Sequence, residues 1–178
     1  TEDGDMEVYI MPLLGGESRR LTYFGSHVKV VGWKNNKEVL FSSNYRMPFQ
    51  RMSDIYSVNI NGSFPSCLSF GMGNDIAKDK TSIILGKNTA DPARWKRYRG
   101  GTAGEIWIDL KGKNDFKKLL DIKGNLASPM LIGKKIFFIS DHEGIGNIYS
   151  CTKLGKEIEK HTNHKNYYAR NASTDGST

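Results

Sequence analysis

The sequence predicts an all-β chain folded as a β-propeller, with about four blades of four antiparallel strands. Three observations predict it. An aromatic-centred segment recurs four times, Gly- or Asn-Gly-bearing turns separate runs of alternating polarity, and no stretch keeps the 3.6-residue apolar period of a helix.

The recurring segments are "EVYIMPLLGGESRRLT" from Glu7, "DIYSVNINGSFPSCLS" from Asp54, "EIWIDLKGKNDFKKLL" from Glu105 and "NIYSCTKLGKEIEKHT" from Asn147. Each opens with a polar residue, a β-branched residue and an aromatic one: Tyr9, Tyr56, Trp107 or Tyr149. Twelve positions further on stand Leu21, Leu68, Leu119 and His161, so the spacing holds and only the last residue type departs. A strand, a short Gly-bearing turn and a returning strand make a hairpin.

Further strand candidates lie between these hairpins: "VKVVGW" (28–33), "EVLFSS" (38–43), "TSIILG" (81–86), "PMLIG" (129–133) and "KIFFIS" (135–140). The stretch "DFKKLLDI" (115–122) is the one competing helix candidate. It shares the spacing of the other return strands and is assigned as strand. Two hairpins per period of about 40–50 residues give the four strands of a propeller blade. The blade-like repeats then fall near 7–46, 54–89, 105–144 and 147–178. The gap from Leu85 to Trp107 is much longer than the gap from Phe137 to Tyr149, so residues 88–104, "NTADPARWKRYRGGTAG", form an insertion.

Composition bounds the function. The chain has 178 residues, 38% of them hydrophobic, enough for one ordinary core. Its net charge of +7 is spread over nearly every segment, which describes a mildly basic surface. Cys67 and Cys151 are far apart and lie in no ligand motif, so neither a disulfide framework nor a thiolate metal site is expected. The apolar runs are strand-sized and nothing resembles a signal peptide, so the expectation is a soluble chain in a reducing compartment. The start at Thr1 and the turn-like "ASTDGST" at the end suggest a piece of something longer.

Candidate chemistry is sparse. Ser140, Asp141 and His142 are adjacent, but neighbours on a strand point to opposite faces, so a turn is expected instead of a triad. In that turn Asp141 accepts backbone N–H bonds and Gly144 takes positive φ. His161 and His164 are spaced to reach one metal, yet no third ligand is evident. No phosphate loop, nucleophile elbow or carboxylate pair is present, so no catalytic residue, metal or cofactor is assigned. The insertion carries the one interaction candidate: Arg94, Trp95, Lys96, Arg97, Tyr98 and Arg99. This mixture of cations and rings suits stacking on bases, clamping a peptide carboxylate, or packing of the rings with the cations in solvent. Nucleic-acid binding would require affinity that falls steeply with salt and is lost in Arg97→Ala and Arg99→Ala; no nucleic-acid or membrane partner is assigned.

The stretches "NTADPARWKRYRGGTAGEIWI", "SDHEGIGNIYS", "HTNHKNYYARNASTDG", "EVYIMPLLGGESRRLTY" and "SPMLIGKKIFFISDHEG" together resemble the N-terminal six-bladed propeller of the tricorn protease family. The resemblance spans essentially the whole chain. It implies a parent serine peptidase that degrades oligopeptides, assembles as a hexameric ring and carries its catalytic residues outside this segment. The propeller would be a scaffold and a gate or channel for peptides, in the cytoplasm, with export of a bacterial homologue as the alternative compartment. Some members carry an Arg pair just after the "LTYF" strand that anchors substrate C-termini. Here His27 and Lys29 stand in that region, and Arg19 and Arg20 lie before the strand. The competing reading is a stand-alone Tol-type protein-binding propeller without peptidase activity.

About four blades of a six-bladed ring leave strand edges open. The 178-residue chain alone is therefore expected to aggregate more readily than a version carrying all six blades. Equal soluble yield and equally cooperative unfolding of the two would refute this.

Overall fold

The structure is a computed structural model that describes residues 4–176. Every regular element among them is a β-strand, and all pairing is antiparallel. The chain divides into two compact units, residues 1–74 and 75–178.

In the first unit a short ladder joins β1 (Tyr9–Ile10) to β2 (Arg19–Arg20). A four-stranded meander follows: β3 (Val28–Asn35), β4 (Glu38–Ser43), β5 (Asp54–Asn59) and β6 (Ser66–Leu68). The inner strands β4 and β5 are buried on both faces, which is why they read as near-continuous apolar runs. Phe41 lies opposite Tyr56 in register, and their rings stack at 5.5 Å. Phe24 completes an aromatic cluster, stacked on Tyr45 at 4.0 Å and edge-on to Tyr56 at 5.2 Å. The Tyr56 hydroxyl donates to the Tyr45 carbonyl at 3.1 Å. Burial first, and then the neighbouring Cys67 and Asp54, push the phenol up to about 12.

The second unit holds two meanders. The first contains β7 (Asp75–Lys78), β8 (Ile83–Lys87), β9 (Glu105–Asp109) and β10 (Lys117–Lys118). The second contains β11 (Leu126–Ile132), β12 (Lys135–Ser140), β13 (Asn147–Thr152) and β14 (Glu159–Lys160). Strand β11 packs on β7, β8 and β9. The resulting core includes Ile84, Ile106, Leu126, Ile136, Phe138 and Tyr149, each at most 2% exposed. Apolar burial of this kind is the main stabilising term of such a layer. A bulge in β11 between Ala127 and Met130 surrounds Pro129, which has no N–H to give to the ladder.

The sheets are out of phase with the sequence repeats. In each four-stranded sheet the aromatic strand is third and its return strand fourth, so the repeats from Asp54, Glu105 and Asn147 open inside a sheet and not at its edge. The sheets accordingly span 28–68, 75–118 and 126–160, whereas Tyr9 and Arg19–Arg20 form only a two-stranded ladder. Strand β7 carries too few apolar residues, Ile76 and Ala77, for alternation to reveal it. The stretch 115–122 is not helical, yet its strand is only Lys117–Lys118, extended by one bond from the Leu119 amide to the Ile106 carbonyl at 2.9 Å; Leu120 leaves the ladder and enters the core.

The two thiols are separated by environment. Cys67 is exposed and Cys151 is fully buried, with burial alone pushing the Cys151 thiol up to about 11. At neutral pH a thiol reagent is expected to react with one cysteine in the native protein and with two only after denaturation. Equal rates at both sites would contradict the placement of β13 in the core.

Candidate functional site

Residues 88–104 join β8 to β9 without regular structure, and side-chain acceptors shape them. Asp91 accepts from the Ala93 amide at 3.0 Å and its carbonyl takes the Arg94 amide at 3.1 Å, forming a turn. The Asp91 carboxylate also holds Arg170, at 2.7 Å from its Nε. Trp95 and Tyr98 meet edge to face at 5.2 Å. Arg97 has φ of 58°, a left-handed conformation that a non-glycine residue needs help to keep.

That help comes from Asp141, whose side chain is fully buried at the end of β12. Its Oδ2 accepts from the Arg97 amide at 2.7 Å and from Asn125 Nδ2 at 3.2 Å. Its Oδ1 accepts from the Asn125 amide at 2.9 Å and from Arg99 Nη1 at 3.0 Å, while Arg99 Nη2 donates to the Asp141 carbonyl at 3.0 Å. Asn125 Nδ2 also reaches the Trp95 carbonyl at 3.0 Å. Four donors occupy the carboxylate, about as many as its lone pairs can take. The insertion is thereby fastened to the start of β11 and the end of β12.

The six candidate residues therefore separate by role. Arg99 is committed to Asp141. Tyr98 accepts from the Thr102 hydroxyl at 3.1 Å. Lys96 lies over the ring of Tyr168 at 5.6 Å, and the Tyr168 hydroxyl donates to the Gly144 carbonyl at 2.8 Å. Arg94, Lys96 and Arg97 present exposed cationic side chains, and Trp95 is half exposed. This is a rigidly held loop with a cationic and aromatic outer face.

The neighbouring turn departs from expectation in two respects. Its backbone closes as the sequence suggests, with Gly144 at φ 113° and its amide on the Asp141 carbonyl at 2.9 Å. The Asp141 carboxylate, however, serves the insertion and Asn125 instead of its own turn. The turn after β12 brings His142 back onto the strand's last residue, so Ser140 Oγ lies 2.9 Å from His142 Nδ1 and accepts from the His142 amide at 3.3 Å, while the Asp141 carboxylate points elsewhere. Ser140 has no exposed surface, so the pair braces the turn and presents no nucleophile. Burial holds the His142 imidazole below its ordinary pKa.

The other candidates are dispersed. His161 Nε2 lies 2.8 Å from Ser150 Oγ and its ring lies 4.9 Å from Phe137, while the His164 ring lies 4.4 Å from Tyr167. Among the described residues no group of three or more His, Cys, Asp or Glu side chains could hold a metal. Arg20 Nη2 pairs at 2.9 Å with the fully buried Glu7 carboxylate, and Arg19 donates to the Ile60 carbonyl, so both arginines brace the first unit.

Several carboxylates share one pH signature. Burial raises Glu7, but hydrogen bonds from Thr22, the Gly25 amide and Arg20 outweigh it and leave its pKa lowered. Asp79 behaves likewise: burial opposes ionisation, while Lys153 and the Ser82 and Thr81 amides hold it well below the usual range. A carboxylate with a depressed folded pKa stabilises above its unfolded value, about 4, and loses that contribution as pH falls through the folded value. Urea midpoints are therefore expected to decline modestly as pH drops below about 6.5, where the unfolded chain protonates His142 before the folded one does, and to fall steeply below about pH 4. Asp79→Asn should flatten the acid limb. An unchanged limb would remove Asp79 from this account.

No helix among the described residues is long and apolar enough to cross a membrane. Residues 1–178 match the family profile of the tricorn protease N-terminal β-propeller domain. A tricorn protease homolog of Saccharolobus solfataricus is 39% identical over 171 residues, covering 96% of this chain and 16% of the relative. The tricorn protease of Thermoplasma acidophilum is 35% identical over 168 residues, covering 90% and 16%. The crystal structure of the tricorn protease superposes with a TM-score of 0.84 at 33% identity, covering 92% of this chain and 17% of that one. TolB from Acinetobacter baumannii shares the fold alone, at a TM-score of 0.63 and 14% identity, over 89% of this chain and 38% of TolB. The chain thus spans about a sixth of the length of the tricorn relatives, and it belongs to the tricorn protease N-terminal β-propeller family.

Proposed function

We propose that this chain is the non-catalytic propeller segment of a tricorn-like serine peptidase that degrades oligopeptides, where it serves as scaffold and as a gate for peptides. One observation carries the reading: the family's propeller profile covers the chain from end to end, and a cation-rich loop is held rigid on it by the buried Asp141. Loops fixed on a rigid scaffold are where propellers place contacts. Arg94 and Arg97 supply guanidinium groups that suit the carboxylate of a passing peptide, with Trp95 beside them for an apolar side chain. Arg99 and Tyr98 hold the loop in shape. The parent chain works in the cytoplasm as a homo-oligomer, in line with the family resemblance.

The test uses the intact peptidase and oligopeptides with free or amidated C-termini. The double variant Arg94→Ala/Arg97→Ala is expected to raise KM for free-acid peptides about 3–10-fold, corresponding to roughly 1 kcal/mol of charge-assisted contact, and to leave the amides alone. Identical kcat/KM for both substrate sets in wild type and variant would sink the contact role. Absence of peptidase activity from the intact protein would sink the wider reading.

A further inference from the structure

The opposite end of β9 from the insertion carries a second surface. The β9–β10 and β13–β14 turns enclose a cleft of about 450 Å³ whose walls include Leu110, Lys111, Lys113, Lys118, Lys153 and Leu154. Leu110 and Leu154 are 44% and 68% exposed, so apolar wall and cationic rim face the same space. Two carboxylates also line the cleft, against five lysines, so the rim keeps a positive excess. Asp109 is buried and directs its oxygens to the Lys111 and Asn114 amides at 2.9 and 2.7 Å, whereas Asp115 lies 3.6 Å from the exposed Lys117. Lys118 and Lys153 are paired with Glu105 and Asp79. Lys111 and Lys113 are exposed, and no carboxylate among the described residues is paired with either.

We propose that this cleft docks an acidic polypeptide segment of a partner protein, one that places a leucine-like side chain between Leu110 and Leu154 and its carboxylates on Lys111 and Lys113. Charge complementarity selects the occupant. A second copy of this chain carries an excess of positive charge, +7, and is the poorer complement to a cationic rim. A phosphate backbone would satisfy the lysines but would gain nothing from the leucines, whereas an acidic amphipathic segment uses both.

The intact protein would be titrated against a fluorescein-labelled peptide of alternating glutamate and leucine, read by anisotropy. Binding is expected to weaken at least tenfold in Lys111→Glu/Lys113→Glu and at least threefold in Leu154→Ser. It should also weaken at least threefold when serine replaces leucine in the peptide. Both lysines are exposed, so the charge-reversed protein should melt within about 2 °C of wild type. Failure of the wild type to bind at millimolar peptide would overturn the proposal, as would indifference to either variant. Undiminished binding of the serine peptide, or full competition by a single-stranded oligonucleotide, would reduce the cleft to a generic polyanion surface and overturn it equally.

Discussion

Asp141→Ala is expected to destabilise the protein by roughly 3–5 kcal/mol, because it leaves the Arg97 and Asn125 amides and the Asn125 side chain without their buried acceptor. For a chain of this size that lowers Tm by on the order of 10 °C. The isosteric Asp141→Asn should recover only part of the loss, since its amide turns a donor toward groups that are themselves donors. Arg99→Ala should cost distinctly less, about 1 kcal/mol, because its guanidinium is only partly buried and its loss leaves the other three donors on Asp141 in place. Melts of the three variants, with amide exchange at 94–99, check the ordering. Equal effects of Asp141→Ala and Arg99→Ala would mean that the ion pair alone matters and that the backbone contacts do not.

Gly104→Ala is the second large effect, expected at about 3 kcal/mol or more. A Cβ there would stand 2.0 Å from the Leu126 carbonyl oxygen, and both partners are backbone, so neither can swing away. The Leu126 amide also donates to the Gly104 carbonyl at 3.2 Å, which fixes the close approach of the start of β9 to the start of β11. Gly101, three residues earlier in the same motif, has open space at its Cβ position. Gly101→Ala should therefore be neutral or stabilising by up to about 1 kcal/mol. Urea denaturation of the two variants is a matched comparison; similar losses at both positions would show that the clash at Gly104 is relieved.

Much of the architecture was legible because strand periodicity is local. Tyr56, Trp107 and Tyr149 mark third strands, and their apolar partners across the ladder, Phe41, Leu85 and Phe138, lie in runs the sequence also marks as strands. Strand β7 escaped because four residues with two apolar positions carry no period, and the sheet frame escaped because a repeat shows its spacing but not its point of origin. At the candidate site, the basic and aromatic composition of 94–99 was legible, and so was the turn at Gly144. The clamp was not: Asp141 is 42 residues from Arg99, and nothing in its own neighbourhood says that its carboxylate serves another segment. The Ser140–His142 pair was not legible either: His142 lies in the turn beyond β12, where strand alternation no longer applies.

The offset between repeat and sheet decides where this protein can be cut and rejoined. A junction placed before Glu105, where a repeat opens, would part β8 from β9 and sever a sheet through its middle. Junctions near 70–74 or 121–124 leave the ladder hydrogen bonds of each meander inside a single piece, and a junction at 121–124 must carry a compatible Asn125 and Asp141 to keep the clamp on the 88–104 insertion. The natural module for exchange between relatives is therefore a unit that begins on a modest outer strand and carries its conspicuous aromatic strand two places in.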